Sequence, residues 1–355
     1  MSAGEFAGAL RLPCAHGGAV GRGTIRSQPE DFIVREWLGF EADGEGDHWL
    51  LTVRKRNANT HWITKQIAKL ANIHPRDVGF AGLKDRNAVA EQSFTVPVRS
   101  AMASEWLTVC TEDFDVIAAQ RHRRKLKRGA LKGNDFEIVV RDFTGSAAAV
   151  AERLAVIGSA GVPSYFGPQR FGHELGNLQR AAAMFRGEQQ LHDRFERGFA
   201  LSAARSAVFN AVLSRRVSEG SWNRLLDGDI ANLDGSNSIF AVEAVDDVLA
   251  ERCARLDIHP SGPLWGRGEI RPQGVPKEIE TSIAVEQAVL CAGLARTDLE
   301  QERRALRVRV QALEHTLVGD VLTLRFRLGR GAFATTVLHE VLDNAFEANT
   351  PEMDE

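Results

Sequence analysis

The alternation of apolar and polar residues changes period several times along this chain. FIVREW (32–37) and HWLLTVRKR (48–56) are rich in β-branched and aromatic residues and predict strands, with EADGEGD (41–47) a polar turn between them. In NTHWITKQIAKLAN the apolar residues Trp62, Ile63, Ile67 and Leu70 recur at helical spacing, and Asn59 or Thr60 is placed to cap that helix. DFEIVVRD (135–142) sets Phe136, Ile138 and Val140 on one face of a strand, and the Ala-rich SAAAVAERLAVIGSAG that follows predicts a helix stopped by glycine. From about residue 188 helical pieces dominate, notably LSAARSAVFNAVLSRRV (201–217) and SIAVEQAVLCAGLA (282–295), with loops of Gly, Asp and Asn between them. Near the end, DVLTLRFRL (320–328) alternates with Leu322, Leu324, Phe326 and Leu328 on one face. After the turn GRG, Ala334, Val337, Leu338, Val341 and Leu342 of AFATTVLHEVLD form a helical stripe. This closing strand and helix match the first third better than the middle. The pattern predicts a mixed α and β domain interrupted by a second, helix-rich one.

A length of 355 residues is comfortable for two domains, and 44% hydrophobic with 26% charged residues is ordinary for a globular chain. There is no internal repeat and no low-complexity segment. Cys14, Cys110, Cys253 and Cys291 lie far apart with no CxxC pair, which argues against a zinc ribbon or a disulfide framework and fits a reducing cytosol. Ser2–Leu10 lacks the basic start and apolar core of a signal peptide, and no apolar run approaches membrane-spanning length, so a cytoplasmic protein without membrane contact is expected. The net charge of −3 weighs slightly against a nucleic-acid partner. Its distribution does not: QRHRRKLKRGALKG (120–133) carries Arg121, Arg123, Arg124, Lys125, Lys127, Arg128 and Lys132 and no acid.

Metal and nucleotide motifs fail on spacing. EADGEGDH places carboxylates at 43, 45 and 47, but His48 stands where a calcium loop needs Gly. GPQRFGH (167–173) has His173 where a P-loop needs Lys, GAVGRG (18–23) has the wrong spacing for a dinucleotide fold, and no HxxxH or HExxH pattern occurs. Neither a metal nor any other cofactor is expected. The basic tract reads either as a solvated face or as a set of phosphate contacts, with Gly129 and Gly133 allowing close backbone approach. SYFGPQRFG (164–172) holds Tyr165, the only tyrosine, with Phe166 and Phe171. These are core aromatics beneath a loop, or a platform for an unpaired base beside the polar readers Gln169 and Arg170. GFAGLKDRNAVAEQ (79–92) sets Asp85 between Lys84 and Arg86. The plain reading is a turn Asp pairing with a neighbour, worth about 0–1 kcal/mol. The sharper one is a catalytic carboxylate that adjacent cations keep ionised near phosphates.

These blocks together resemble the TruD family of tRNA pseudouridine synthases, whose essential aspartate lies in a Gly-Lys-Asp-like core similar to GFAGLKDRNAVAEQ. PEDFIVRE with LGFEADGEGDH, NTHWITKQIAKL, HRRKLKRGALKGNDFEI, GVPSYFGPQRFG, LSAARSAVFN and GAFATTVLHE are similar to further blocks of that family in its order, over nearly the whole chain. The resemblance implies an α+β fold: a catalytic domain with a mixed, largely antiparallel sheet and flanking helices, interrupted by an inserted helix-rich α/β domain. The expected boundaries are 1–187, 188–316 and 317–355. It implies Asp85 as the catalytic residue, Lys84 and Arg86 as supporting cations, Glu30 and Arg26 near the site, and Phe166 as the aromatic that stacks on the uracil. The basic tract and the inserted domain would clamp tRNA, usually at uridine 13. The family typically has Asn where Ser164 stands, so Ser164 is a supporting candidate whose shorter side chain bears on rate or positioning. Asp85 would attack C1′ or take the C2′ proton. A catalytically silent RNA-binding protein of the same fold, favoured only by Ser164, is the second reading. A glycosidase-like hydrolase is the third, weakened by the want of an evident second carboxylate. Nothing in the sequence demands more than a monomer.

Overall fold

The computed structural model describes residues 6–98, 103–343 and 345. The chain begins its regular structure with strands β1 (Gly21–Ile25), β2 (Phe32–Trp37) and β3 (His48–Arg56), then helix α1 (Thr60–Leu70), the short β4 (Gly79–Phe80), β5 (Val89–Pro97), α2 (Ala103–Leu107), β6 (Phe114–His122) and β7 (Gly133–Gly145). Asn59 caps α1 by accepting from the Trp62 N–H. The middle of the chain supplies α3 (Ala147–Ala160), β8 (Val162–Pro163), α4 (Gly176–Arg186), α5 (Arg194–Ser218), β9 (Ile230–Leu233), β10 (Ile239–Ala241), α6 (Asp247–Ala254), β11 (Ile258–Leu264), α7 (Gly274–Glu286), α8 (Ala288–Ala295), β12 (Glu302–Ala305) and β13 (Arg307–Val308). The chain then returns through β14 (Val310–Val318), β15 (Val321–Gly329) and α9 (Ala334–His339).

Two compact units result. One is built from residues 23–144 and 311–331 and holds the large sheet, ordered β14-β15-β7-β2-β5-β3-β6, with β1 on β7 and β4 on β5. β2 and β5 run parallel, while β3, β4, β6, β7 and β15 pair antiparallel, the mixed and largely antiparallel sheet expected of an α+β chain. Its core joins Leu51, Val53, Phe94 and Val96 of the sheet to Ile63 and Ile67 of α1.

The other unit comprises 145–310 with the flanking segments before Gly23 and after Gly331. One of its cores packs Leu178 of α4, Ala204 and Val208 of α5, Ile279 and Ile283 of α7, and Leu290 and Leu294 of α8. By their internal contacts the two units divide near 144 and 310. The composition shift at 188 marks a change in element type, whereas α4, just before it, packs with α5 just after it.

Three local expectations changed. SIAVEQAVLCAGLA is two helices, because Gln287 leaves the helical region (φ −111°, ψ 40°), which lets residues on both sides reach one core. The last helix stops at His339. Val341 and Leu342 beyond it are buried by backbone pairing with Val20 and Gly21. The middle region also contains a four-stranded sheet, ordered β10-β9-β11-β12. Its strands are short, and β11 carries Pro260 and Pro263, residues that disguise a strand in the sequence.

Candidate active site

Asp85 sits on the segment between β4 and β5, with its side chain half exposed (50%). Everything around its backbone is tied down. The Lys55 ammonium, at the end of β3 and fully buried, donates to the Asp85 carbonyl at 2.7 Å and to the Ala58 carbonyl. Burial pushes the Lys55 pKa down to about 8, against the opposing pull of the Asp85 charge. The Lys84 N–H donates to Thr60 Oγ1 at 3.1 Å, and that hydroxyl donates to Gln92 Oε1 at 3.0 Å. The Gln92 amide in turn donates to the Gly82 carbonyl at 2.7 Å. Three residues from three elements, Lys55, Thr60 and Gln92, thus hold one short loop from its buried side.

Arg26 is a counter-ion of the Asp85 carboxylate, its Nη2 donating to Oδ2 at 2.8 Å. Arg26 has a left-handed backbone (φ 60°), a conformation held at some strain in a residue bearing a side chain. Its guanidinium lies 4.1 Å from the Phe32 ring centroid. The turn that follows is fixed by Asp31, which accepts from the Gln28 N–H and from the Arg141 guanidinium at 2.7 Å. Lys84 is not that counter-ion. Its ammonium turns inward to Glu36 Oε1 at 2.8 Å, a pair whose side chains are 5% and 1% exposed, and Glu36 also accepts from the Ser93 N–H. Arg86 is exposed beside Asp85. Glu30 pairs with Arg56 at 2.6 Å, and that hydrogen bond holds its carboxyl below the ordinary range.

Phe166 belongs to the other unit and is buried. Asn210 on α5 clamps its backbone, accepting from its N–H at 2.9 Å and donating to its carbonyl at 2.8 Å. The ring meets Phe209 edge-on at 5.5 Å and Phe333 at 5.9 Å. Arg304 lies 4.5 Å over it and Arg170 5.4 Å, and Arg170 also donates to Ser202 Oγ. Burial first, and the neighbouring Arg170 second, push Arg304 down to about 10. A base stacking on Phe166 would have to take the place of one of these guanidinium groups. Ser164 is buried and its N–H donates to the Leu306 carbonyl, while Gln169 is exposed. Tyr165 is core, its hydroxyl donating to the Pro13 carbonyl.

The basic tract is less uniform than its composition suggests. Arg123 bonds Glu45 and His122 bonds Asp43, so the acidic turn at 41–47 neutralises part of it. Arg121 donates to the Gly46 carbonyl, Arg128 lies 3.9 Å over the Phe80 ring, and Lys132 lies 5.7 Å from the Trp37 centroid. Lys125 donates to the Arg76 carbonyl. Arg124 and Lys127 are exposed and have no ion-pair partner among the described residues. The tract also supports the Asp85 loop from behind: Gly129 N–H donates to the Ala81 carbonyl at 2.6 Å, and Leu126 packs on Ala81. Among the described residues no three His, Cys, Asp or Glu side chains converge as a metal site would require.

Glu36, Lys55, Gln92, Asp31, Asn210 and Arg304 were not singled out from the sequence. Three carried a readable signal. Glu36 shares the face of Phe32 and Val34, Lys55 that of Leu51 and Val53, and Gln92 that of Ala90 and Phe94. A polar residue on the inward register of a strand must find a buried partner.

The family model for tRNA pseudouridine synthase D (TruD) matches residues 15–190 and 175–341. A tRNA pseudouridine synthase D from Methylococcus capsulatus is 46% identical over 333 residues, covering 94% of each chain. One from Xanthomonas campestris pv. campestris is 45% identical over 346 residues, again covering 94% of each. A crystal structure from Methanosarcina mazei, assigned to the same synthase, superposes with a TM-score of 0.77 at 22% identity, over 95% of this chain and 97% of that one. This last likeness bears on the fold.

Proposed function

Since the chain belongs to the tRNA pseudouridine synthase D family, we propose that it isomerises a uridine of tRNA to pseudouridine at Asp85. The observation that carries the assignment is a half-exposed carboxylate on a loop held from beneath by Lys55, Thr60 and Gln92, with Arg26 on its oxygen. Pseudouridine formation breaks the C1′–N1 bond, turns the uracil and rejoins it through C5. Asp85 serves as an ionised nucleophile at C1′ or as the base that takes the C2′ proton. Arg26 orients it and offsets the repulsion from RNA phosphates. Lys84 supports the loop through Glu36 rather than through Asp85 itself.

The reading extends to uridine 13 as the target, to Phe166 as the flipped base's stacking surface beside Gln169 and Ser164, and to Glu30 as a neighbour of the site. Flipping costs a few kcal/mol, which an aromatic contact helps offset. It also takes the segment 188–316 as the family's inserted domain, the protein as a monomer and the cytoplasm as its compartment. Among the described residues no helix is long and apolar enough to cross a membrane.

The test is Asp85→Asn, an isosteric change at an exposed side chain. Pseudouridine formation in a tRNA pool should be abolished while tRNA affinity stays within a few-fold. Surviving activity would remove Asp85 from the chemistry.

A further inference from the structure

The arginines of the large sheet are nearly all matched with carboxylates: Arg35 and Arg325 with Glu137, Arg54 with Glu91, Arg56 with Glu30, Arg141 with Asp31 and Arg327 with Asp135. One place in the same unit breaks that pattern. His61, Thr64 and Lys65 recur along one face of α1, and that face lines an open cavity of 410 Å³. Arg76, Lys125 and Arg128 line it as well, around a floor that includes Phe80. No carboxylate lines the cavity, and Lys65, Arg76, Lys125 and Arg128 have no ion-pair partner among the described residues.

The cations are also positioned. Arg128 stacks at 3.9 Å on the Phe80 ring, His61 meets the same ring edge-on at 5.9 Å, and Lys125 is fixed by its bond to the Arg76 carbonyl. Four like charges gathered around one concavity repel each other unless an anion sits among them. The volume falls in the range of small-ligand sites, large enough for a phosphate with its sugar or base. The cavity also shares a backbone with the catalytic loop. Phe80 leads directly into Ala81 and Gly82, and the tract residue Gly129 bonds the Ala81 carbonyl.

We propose that this cavity binds a phosphate of the RNA substrate other than the one beside the reacting uridine, with Lys65 and Arg76 as its principal contacts and the exposed His61 against the attached nucleoside. The site is a positioning one. It holds the strand that leads to Asp85 and takes no part in the chemistry. The inference rests on the reading of the chain as a tRNA pseudouridine synthase acting through Asp85.

The test uses the full-length protein and Lys65→Gln/Arg76→Gln, two exposed residues outside the Asp85 network, with circular dichroism confirming the fold. For tRNA, KM should rise about tenfold while kcat stays within twofold, and the slope of log affinity against log salt should become shallower by about one, near 0.9 for the one phosphate lost. Uridine monophosphate should shift the His61 ring signals of the unaltered protein in NMR and not those of the variant. Unchanged KM and salt slope overturn the proposal. So does a His61 response to inorganic phosphate with tRNA binding unaffected, which would make the cavity a site for free phosphate. Both outcomes leave Asp85 untouched, whereas failure of the functional reading would show as absent pseudouridine with the unaltered protein.

Discussion

Lys55 is the residue on which the Asp85 loop turns, and its environment makes a signed prediction. Its ammonium is fully buried and bonded to two carbonyls, with no carboxylate in direct contact, and burial lowers its pKa from 10.5 to about 8. Below about pH 8 both folded and unfolded chains hold the proton, and the burial penalty is present in full. Between about 8 and 10.5 the unfolded chain binds more protons than the folded one, so stability contributed by this group rises with pH. The rise is at most about 1.4 kcal/mol per pH unit in that window. Lys55→Met removes it. Chemical denaturation at pH 7, 8, 9 and 10 should show the unaltered protein gaining on the variant above pH 8. Parallel profiles would mean that the lysine titrates normally.

At the scale of elements, the sheet presents the loop. β3 brings Lys55, β2 brings Glu36 and β5 brings Gln92, each on the inward register, while α1 places Thr60 at its first turn. Gln92 is fully buried and links Thr60 to Gly82, so Gln92→Leu keeps volume and removes both bonds. The stranded hydroxyl and carbonyl should cost about 1–3 kcal/mol of stability. A misplaced Asp85 should lower kcat at least tenfold with little change in KM, which a merely structural residue would not do. Equal losses in kcat and in folded fraction would assign Gln92 to stability alone.

Much of this architecture was legible in the sequence. The β-branched and aromatic content of FIVREW and HWLLTVRKR and the alternation in DVLTLRFRL predicted strands that formed, and of the two cap candidates Asn59 and Thr60 it is Asn59 that caps α1. The Asp85 segment stood out by its charges. What the sequence left open was which cation faces Asp85. Lys84, its neighbour in sequence, turns inward to Glu36, and a contact with the carboxylate comes from Arg26, fifty-nine positions away. The short Pro-containing strands and the break at Gln287 were hidden because tertiary packing, rather than local pattern, decides them.

Across the whole molecule, a net charge of −3 conceals a local contest between the acidic turn at 41–47 and the basic tract. Arg123 and Glu45 are both mostly exposed (63% and 67%), so their pair is worth about 0–1 kcal/mol and an RNA phosphate can compete for the arginine. Among the described residues Arg124 and Lys127 face no such competitor. Arg124→Gln/Lys127→Gln should therefore weaken tRNA binding and flatten its salt dependence by about two, at near 0.9 per phosphate contact. Glu45→Gln should act in the opposite sense. Releasing Arg123 can strengthen binding by up to about fivefold at low salt, the whole worth of the pair, and the gain should fade as added salt screens it. Filter binding across a salt series reads both effects. If Glu45→Gln leaves affinity unchanged while the double variant loses it, Arg123 is a partner of the acidic turn and the phosphates lie over Arg124 and Lys127. If neither variant alters the slope, the tract's part is confined to packing behind Ala81, and RNA must be held by other cations.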